Sequence, residues 1–367
     1  MPDSAPFSPE FKVPGPEVVR SLPKVLLHDH LDGGLRPATL LELAAEAGVT
    51  PPADSEERLT AWVRERADSG SLEDYLTVFD EIVKVLQTGP AITRVTREAL
   101  EDLAADNVVY AELRAAPELH TAGDLSLREV VDAIKAGMDV PGIEARLILC
   151  AMRQNDSSEE IAELVVANAG ETVVGFDLAG PEDGYPASNH AAALTRLRES
   201  FVPATVHAGE DAGVDSIASA VLAGANRLGH GARIFEDFTV DEDGIALGKV
   251  ASWVRDRRIP LELAPSSNVQ TGLVDDLADH PFPLLQQLGF VCTVNTDNRL
   301  VSNTTLSEEM SRLVDYFDYG LDELFQLTVN ALNGAFIPEP LRQDILARRI
   351  LPAYEELADP DYRTKGD

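Results

Sequence analysis

The feature that most restricts the fold of this chain is an alternation of eight short β-rich segments with segments of helical periodicity. Such alternation is typical of a parallel sheet, because each parallel connection needs a crossover of a dozen or more residues. Eight strands suffice to close a barrel, and we therefore predict an α/β fold, a (β/α)8 TIM barrel with an insertion of helices after the first strand. The predicted strands are 24–32, 108–117, 144–153, 173–182, 204–210, 227–234, 260–268 and 290–298.

The alternative arrangement is an open, doubly wound sheet. Such sheets usually carry a G-x-G-x-x-G turn after the first strand, and this chain has none there. The barrel is therefore favoured.

One helix boundary can be predicted from local signals. Thr39 and Glu42 have the spacing of a capping box, in which the two side chains bond the free N–H groups of a helix start. Gly48 is a plausible stop for the same helix.

The organisation into domains follows from what the interior lacks. No linker, charge block or low-complexity segment interrupts it, which favours one domain. We predict a proline-rich N-terminal tail at 1–16, a single domain at 17–357 and a polar C-terminal tail at 358–367.

Charge excludes several partners. The 63 acidic against 30 basic residues give a formal net charge of -33, which disfavours nucleic acid and argues against an anionic membrane surface. No secretory signal and no apolar run of membrane-spanning length is visible, so a cytoplasmic location is the default expectation. The two cysteines are far apart and are expected in the core, which disfavours a thiolate metal site. The sequence leaves the oligomeric state open.

The polar residues of most interest cluster at the C-terminal ends of the predicted strands. In a barrel of this kind that end is the active-site face. The remaining histidines, His120, His190 and His280, are predicted to lie on the surface. The cluster comprises His28, His30, Glu112, Asp177, His207, Glu210, His230 and Asp297.

Part of this cluster has the composition of a metal site. His28 and His30 are two apart on a strand, so both side chains point to the same face, which is the inside of a barrel. Together with His207 and Asp297 they offer three imidazoles and one carboxylate, a set that suits zinc with one position left for water. Taken alone, the His-x-His pair is equally compatible with two hydrogen-bonded histidines in a polar barrel mouth.

Two further residues are candidates for proton transfer. His230 could orient or deprotonate a metal-bound water, and Glu210 could act as an acid or base that does not bind the metal. The alternative interpretations are a loop histidine between two glycines and a carboxylate that opens a helix beside Asp211.

At these residues the sequence resembles the adenosine deaminase family of metal-dependent, amidohydrolase-type purine nucleoside deaminases. The resemblance runs in order from residue 22 to 298, which is most of the chain, and the combination of segments is highly specific. The matching segments are LPKVLLHDHLDGGLRP, GFDLAGPE, TVHAGE, RLGHGARI, APSSNVQTG and VNTDN.

The resemblance implies the barrel fold, one zinc ion per chain and hydrolytic deamination of a purine nucleoside. Glu210 would protonate purine N1, which makes C6 electrophilic. His230 would position the attacking hydroxide and stabilise its charge, and Asp297 would also help to take its proton. The implied zinc ligands are His28, His30, His207 and Asp297.

The resemblance also implies how substrate is held. Gly180 matches a glycine whose N–H contacts purine N3. Asp32, in HLDG, matches a residue near the ribose 5′-hydroxyl, whereas related adenine deaminases usually have HLEG. Asn298 stands where the family often has a second aspartate that bonds N7. Because N7 accepts and an amide can donate, the exchange is chemically compatible with N7 recognition. The implied substrate contacts are His30, Asp32, Gly180 and Asn298.

The segment 71–79 resembles the family's apolar lid. An ordinary helix facing the core is the alternative, since the spacing i, i+3, i+4 and i+7 fits both. The lid candidates are Leu72, Tyr75, Leu76 and Phe79.

These features favour deamination of adenosine and 2′-deoxyadenosine in purine salvage. A second hypothesis is a related deaminase of adenine, a modified adenosine or a nucleotide. A nucleotide would need converging cations for its phosphate, and Arg36 and Arg299 lie near the predicted site. A third hypothesis is an inactive nucleoside-binding barrel. The presence of every catalytic residue type argues against it.

Overall fold

The sheet of the computed structural model contains eight parallel strands whose neighbours follow chain order. The structure describes residues 13–242 and 244–358. An antiparallel hairpin, β7–β8, stands apart from the eight-stranded sheet and was not predicted. The strands are β1 (Lys24–His30), β2 (Val108–Ala115), β3 (Glu144–Met152), β4 (Val173–Ala179), β5 (Ala204–Ala208), β6 (Arg227–His230), β7 (Phe238–Asp241), β8 (Gly244–Leu247), β9 (Leu261–Leu263) and β10 (Cys292–Val294).

The first helices include the predicted insertion. Four of them, α2 to α5, lie between β1 and β2. The first helices are α1 (Pro16–Ser21), α2 (Pro37–Ala47), α3 (Glu56–Ala67), α4 (Leu72–Val85) and α5 (Gly89–Ala105).

The remaining helices fall between later strands or follow the last one. A π-helical turn, Leu346–Ile350, joins the final two. Among the described residues, no helix is long and apolar enough to cross a membrane. The helices are α6 (Leu127–Gly137), α7 (Ser158–Asn168), α8 (Ala191–Glu199), α9 (Val214–Ala223), α10 (Lys249–Asp256), α11 (Pro265–Gln270), α12 (Phe282–Gln287), α13 (Leu306–Phe317), α14 (Leu321–Gly334), α15 (Glu339–Ile345) and α16 (Leu351–Ala358).

The eight predicted strands are confirmed, and the structure is an α/β TIM barrel. Each observed strand ends before its predicted segment does, and the residues beyond it belong to loops or to short helices. Residues 1–12 and 359–367, which fall in the two predicted tails, lie outside the described residues. The division into one domain and two tails stays a prediction.

The predicted capping box is wrong, whereas the predicted stop is confirmed. Helix α2 begins at Pro37, and its N-cap residue, Arg36, makes no side-chain cap. Thr39 lies inside the helix, where its hydroxyl donates to the Glu98 carboxylate at 2.5 Å. Gly48 ends the helix in the left-handed conformation, with φ of 67°.

The barrel closes between its last and first strands through loop residues that follow β10. The Asn295 side-chain oxygen accepts hydrogen bonds from the main-chain N–H groups of Leu27 and His28, at 3.2 and 3.1 Å. Asp297 then pairs with Asp29 of β1 as an isolated parallel bridge. Closure therefore brings the end of the last strand beside the two histidines of the first.

A buried charge network fills the barrel interior below the site. The Arg227 guanidinium pairs with the carboxylates of Glu112 and Glu262, at 2.7 and 2.5 Å, and all three side chains are buried. Arg114 pairs with Glu262 and, at 3.1 Å, with Asp177. Glu112, predicted at the active-site face, belongs to this network and also accepts from Tyr110, so that prediction is wrong.

We predict that Arg227→Met lowers the free energy of unfolding by roughly 3–5 kcal/mol, because it leaves the buried Glu112 carboxylate without its ion-pair partner and Glu262 with Arg114 alone. Arg58→Met is the control, since Arg58 pairs with Asp54 at the surface, and such pairs contribute about 0–1 kcal/mol. Urea unfolding of both variants measures the difference. Equal, small losses would contradict the structural role of the network.

Candidate active site

Four predicted ligands meet at the C-terminal mouth of the barrel. The Nε2 atoms of His28 and His207 each lie 3.2 Å from Nε2 of His30. Oδ1 of Asp297 lies 3.1 Å from Nε2 of His28 and 3.5 Å from Nε2 of His30. The four side chains thus offer ligand atoms that all lie within 4.8 Å of one another.

Two of the histidines have a carboxylate near Nδ1, on the side of the ring that faces away from the other ligands. Nδ1 of His28 lies 3.2 Å from Glu262, and Nδ1 of His207 lies 3.1 Å from Asp177. A carboxylate accepts hydrogen bonds, so each Nδ1 carries hydrogen, and in the neutral ring Nε2 presents its lone pair to the centre.

These lone pairs and the Asp297 carboxylate converge on one point, as the ligands of a cation do. The donor set of three imidazoles and one carboxylate therefore fits a divalent metal ion, and the site is a candidate metal centre.

The backbone holds two of the site residues in an uncommon conformation. Asp297 and His230 have positive φ, at 56° and 60°. The N–H of Asp297 donates to the carbonyl of His28 at 3.0 Å, and the N–H of His30 donates to the carbonyl of Asp297 at 2.7 Å. Two hydrogen bonds to β1 thus offset the strain at Asp297 and fix its position between the two histidines.

Glu210 lies beside the metal centre on the loop after β5. A buried carboxylate, that of Glu182, holds this loop by accepting hydrogen bonds from four successive main-chain N–H groups. Their donors are Gly209, Glu210, Asp211 and Ala212, at 2.6, 3.1, 2.9 and 3.0 Å.

The two carboxylates beside the cavity, Glu210 and Asp297, have pKa values shifted in opposite directions. Burial raises the pKa of Glu210 well above its ordinary value, and the charges of Asp297 and Glu182 raise it further. Burial acts in the same sense on Asp297, but the neighbouring histidines hold the pKa of Asp297 well below its ordinary value. Glu210 can therefore donate a proton at neutral pH, and Asp297 can accept one.

His230 faces Glu210 across the site, with its Nε2 3.4 Å from a Glu210 carboxylate oxygen. Burial lowers the pKa of His230 well below its ordinary value, so the ring is neutral. Glu210, His230 and Asp297 form a second group of converging polar atoms that shares Asp297 with the metal centre.

A cavity of about 290 Å³ opens beside these groups. No lysine or arginine is among the residues that line it, within the part of the chain that the structure describes. The lining residues are His30, Asp32, Leu72, Tyr75, Leu76, Phe79, Asp80, Val83, Ala116, Leu119, Cys150, Met152, Gln154, Ala179, Gly180, His207, Glu210, His230, Asp297 and Asn298.

The four lid candidates all line this cavity from helix α4. The hydroxyl of Tyr75 lies 3.0 Å from the Ser302 hydroxyl and accepts from the Asn298 amide at 3.0 Å. Helix α4 is thus tied to the loop after β10. Whether the segment opens and closes stays a prediction.

The three remaining predicted substrate contacts also line the cavity. Burial raises the pKa of Asp32 to about 6. Gly180 has φ of 98°, and a Cβ there would lie 2.4 Å from the Gln154 side-chain oxygen. The amide nitrogen of Asn298 is directed at Tyr75 rather than into the cavity. Their contacts with substrate stay predictions.

The two arginines considered as phosphate ligands are occupied elsewhere. Arg299 pairs with Asp29 at 3.0 Å, and Arg36 pairs with Asp102 at 2.6 Å. Neither lines the cavity. Although both lie near the predicted site in sequence, neither supplies a cation to the described lining of this cavity.

The prediction of three surface histidines is also wrong. His120, His190 and His280 are 2%, 6% and 3% exposed. His190 lies within hydrogen-bonding distance of the Ser158 hydroxyl, and His280 of the Asn268 side chain. Loop positions suggested exposure, but these loops pack against the barrel.

Sequence reasoning missed residues that support the ligands. Glu262 and Arg114 lie within the barrel strands and were not among the predicted site residues. The Ser267 hydroxyl donates to the second oxygen of Asp297 at 2.7 Å. The charged residues inside otherwise apolar barrel strands were the available signal, because a buried charge needs a partner.

The fold and site together define an α/β barrel with a candidate metal centre at the C-terminal ends of its strands. Comparison with known proteins defines it further. The model of the adenosine deaminase family matches residues 23–350, and the chain belongs to this family.

The curated relatives cover nearly the whole chain. An adenosine deaminase of Mycobacteroides abscessus is 51% identical over 351 residues, which are 92% of this chain and 97% of that protein. Adenosine deaminase 1 of Streptomyces coelicolor is 49% identical over 358 residues, covering 94% of this chain and 90% of its own length.

Solved structures with the same barrel differ more in sequence. An adenine deaminase from Arthrobacter aurescens is 27% identical, with a TM-score of 0.79, and the match covers 92% of this chain and 99% of that one. An N6-methyl-AMP deaminase from Arabidopsis thaliana is 28% identical, with a TM-score of 0.76, and covers 90% and 97%. The fold is therefore shared by a deaminase of a base and a deaminase of a nucleotide.

We predict that Asp177→Asn weakens metal binding about 10- to 100-fold, because an amide holds the His207 tautomer less firmly than a carboxylate does. Competition with a chelating dye for Zn²⁺ measures the affinity. Asp276→Asn is the control, since Asp276 caps a short helix, Leu277–Asp279, away from the ligands. Unchanged affinity in folded Asp177→Asn protein would refute the supporting role.

Proposed function

We propose that this protein hydrolyses adenosine and 2′-deoxyadenosine to inosine and 2′-deoxyinosine, releasing ammonia, with one zinc ion per chain. The observation that carries the proposal is the pairing of a candidate imidazole–carboxylate metal centre with the buried Glu210 carboxyl, whose pKa is raised by burial, in one cavity. The names of the curated relatives at about half identity support the same activity.

The metal would be held by His28, His30, His207 and Asp297. When bound, zinc lowers the pKa of a coordinated water to about 7, which supplies a nucleophile at neutral pH. The donor set supports zinc, which commonly takes histidine and carboxylate ligands with one position left open.

The protein's own residues then divide the proton transfers. Glu210 donates its proton to purine N1, which draws electrons from C6. Asp297 accepts the proton of the water oxygen that adds to C6, and His230 faces that oxygen. The C6–N6 bond breaks as the amino group takes up a proton and leaves as ammonia. Water and adenosine thus give inosine and ammonia.

The cavity favours a nucleoside over a nucleotide. A phosphate dianion needs cationic partners, and among the described lining residues there are carboxylates at Asp32 and Asp80 but no lysine or arginine. A buried dianion beside these carboxylates would be repelled.

Asp32 favours a nucleoside over a free base. Its carboxyl lies at the cavity wall, where it can bond a ribose hydroxyl that adenine lacks. A site built to bond a hydroxyl rejects a ligand without one, because its buried polar group is then left unpaired. We place this activity in the cytoplasm and in purine salvage.

We predict that Glu210→Gln keeps metal and ligand binding but loses about 10²- to 10⁴-fold in kcat, since the amide cannot donate a proton to N1 and recover it. Asp211→Asn is the matched control, because it removes the neighbouring carboxylate from an exposed position. Steady-state assays and zinc content of both variants provide the measurement. Near-normal turnover in Glu210→Gln would refute the role of Glu210.

We also predict that the zinc-loaded protein converts the ultraviolet spectrum of adenosine to that of inosine, and deaminates AMP and adenine at least about 100-fold less efficiently, since the unpaired groups cost several kcal/mol. The three substrates are compared at equal concentration. Preference for AMP would overturn the argument from the cavity lining, and preference for adenine would overturn the role of Asp32.

A further inference from the structure

The side of His230 turned away from the cavity leads into a chain of hydrogen bonds. Its Nδ1 lies 3.0 Å from the side-chain nitrogen of Asn268. The side-chain oxygen of Asn268 lies 3.1 Å from Nε2 of His280. Nδ1 of His280 in turn accepts the main-chain N–H of Phe282, at 3.1 Å. All four residues are buried, so water does not compete for these bonds.

The last bond gives the chain its direction. A main-chain N–H can only donate, so Nδ1 of His280 must accept, and the hydrogen of the neutral ring resides on Nε2. Burial lowers the pKa of His280 to about 3, which keeps the ring neutral in the physiological range.

The same direction of hydrogen-bond donation continues through Asn268 to His230. Nε2–H of His280 donates to the Asn268 oxygen, which leaves the Asn268 amide group facing His230 as a donor. Nδ1 of His230 must accept, so its hydrogen is on Nε2. The reverse order would place the N–H of Phe282 against an N–H of His280.

The tautomer decides what His230 can do. Its Nε2 is the atom that faces Glu210 and the cavity. A neutral imidazole with hydrogen on this atom can donate to an oxygen that gains negative charge, but this atom has no lone pair with which to accept a proton. The sequence left two roles open for His230, orienting the water and deprotonating it. The position of the ring hydrogen distinguishes between them.

We propose that Asn268 and His280 are positioning residues that hold His230 as the Nε2–H tautomer, the form in which Nε2 can donate a hydrogen bond to the oxygen adding to C6. The identity of that oxygen rests on the proposed function, whereas the tautomer does not.

Nitrogen-15 NMR of zinc-loaded protein with ring-labelled histidine tests the tautomer without substrate. The His230 resonances are assigned by their loss in His230→Gln. We expect the shift of a protonated nitrogen at Nε2 and of an unprotonated nitrogen at Nδ1. Hydrogen on Nδ1 in the unaltered protein would overturn the proposal.

Two substitutions at residue 280 test the relay. His280→Phe removes the donor to Asn268, so we expect a mixture of His230 tautomers and a fall in kcat of about 10- to 100-fold with KM little changed. His280→Gln can still donate to the Asn268 oxygen, so we expect it to retain the tautomer and most of kcat. Folded His280→Phe with unchanged tautomer and kcat would overturn the relay.

A substitution that preserves shape tests the middle of the chain. Asn268→Asp replaces the donor facing His230 with an acceptor, so we expect hydrogen to appear on Nδ1 of His230. An unprotonated Nδ1 in this variant would contradict the mechanism. If the unaltered protein did not deaminate adenosine, the proposed function would fail, and the spectra would still decide the tautomer.

Discussion

The site depends on one closure of the main chain. Asp297 lies between two residues of the first strand, with its N–H donated to His28 and its carbonyl accepting from His30. Without these bonds the barrel would still have eight strands, but its last strand would not deliver a carboxylate to the histidine pair. The contact that closes the barrel therefore also forms the candidate metal site, and Asp297 adopts an uncommon backbone conformation there, with a positive φ.

The buried ion pairs inside the barrel orient the histidines that lie beside Asp297. Arg114 neutralises Glu262 and Asp177, the two carboxylates that orient His28 and His207. Charged groups of both signs therefore lie close together in a region that excludes water. Since an unpaired buried charge is costly, Arg114 holds the two carboxylates in place. The carboxylates in turn hold the rings of His28 and His207 in one orientation. The neighbouring Glu210 is kept protonated by the same low polarity that elsewhere demands pairing.

How much of this could be predicted depends on whether partners are close in sequence. The strand count and the convergence of His28, His30, His207 and Asp297 follow from periodicity and from the common orientation of parallel strand ends. The burial of His280 could not be predicted, because its partner Asn268 lies in a separate helix and the local sequence reads as a loop. The ion pair of Arg299 with Asp29 was missed for the same reason, although alternation along β1 places Asp29 opposite the two histidines. The capping box at Thr39 failed because tertiary contact with Glu98 outweighed a local signal.

The central claim is that one metal ion, held at the barrel closure, makes this chain an adenosine deaminase. The most direct test is to strip the protein with a chelator and add back zinc in steps while adenosine deamination is followed. The account predicts that activity is absent from the stripped protein and rises linearly to a break at one zinc per chain. Full activity in protein shown to hold no metal, or a break at two equivalents, would contradict it.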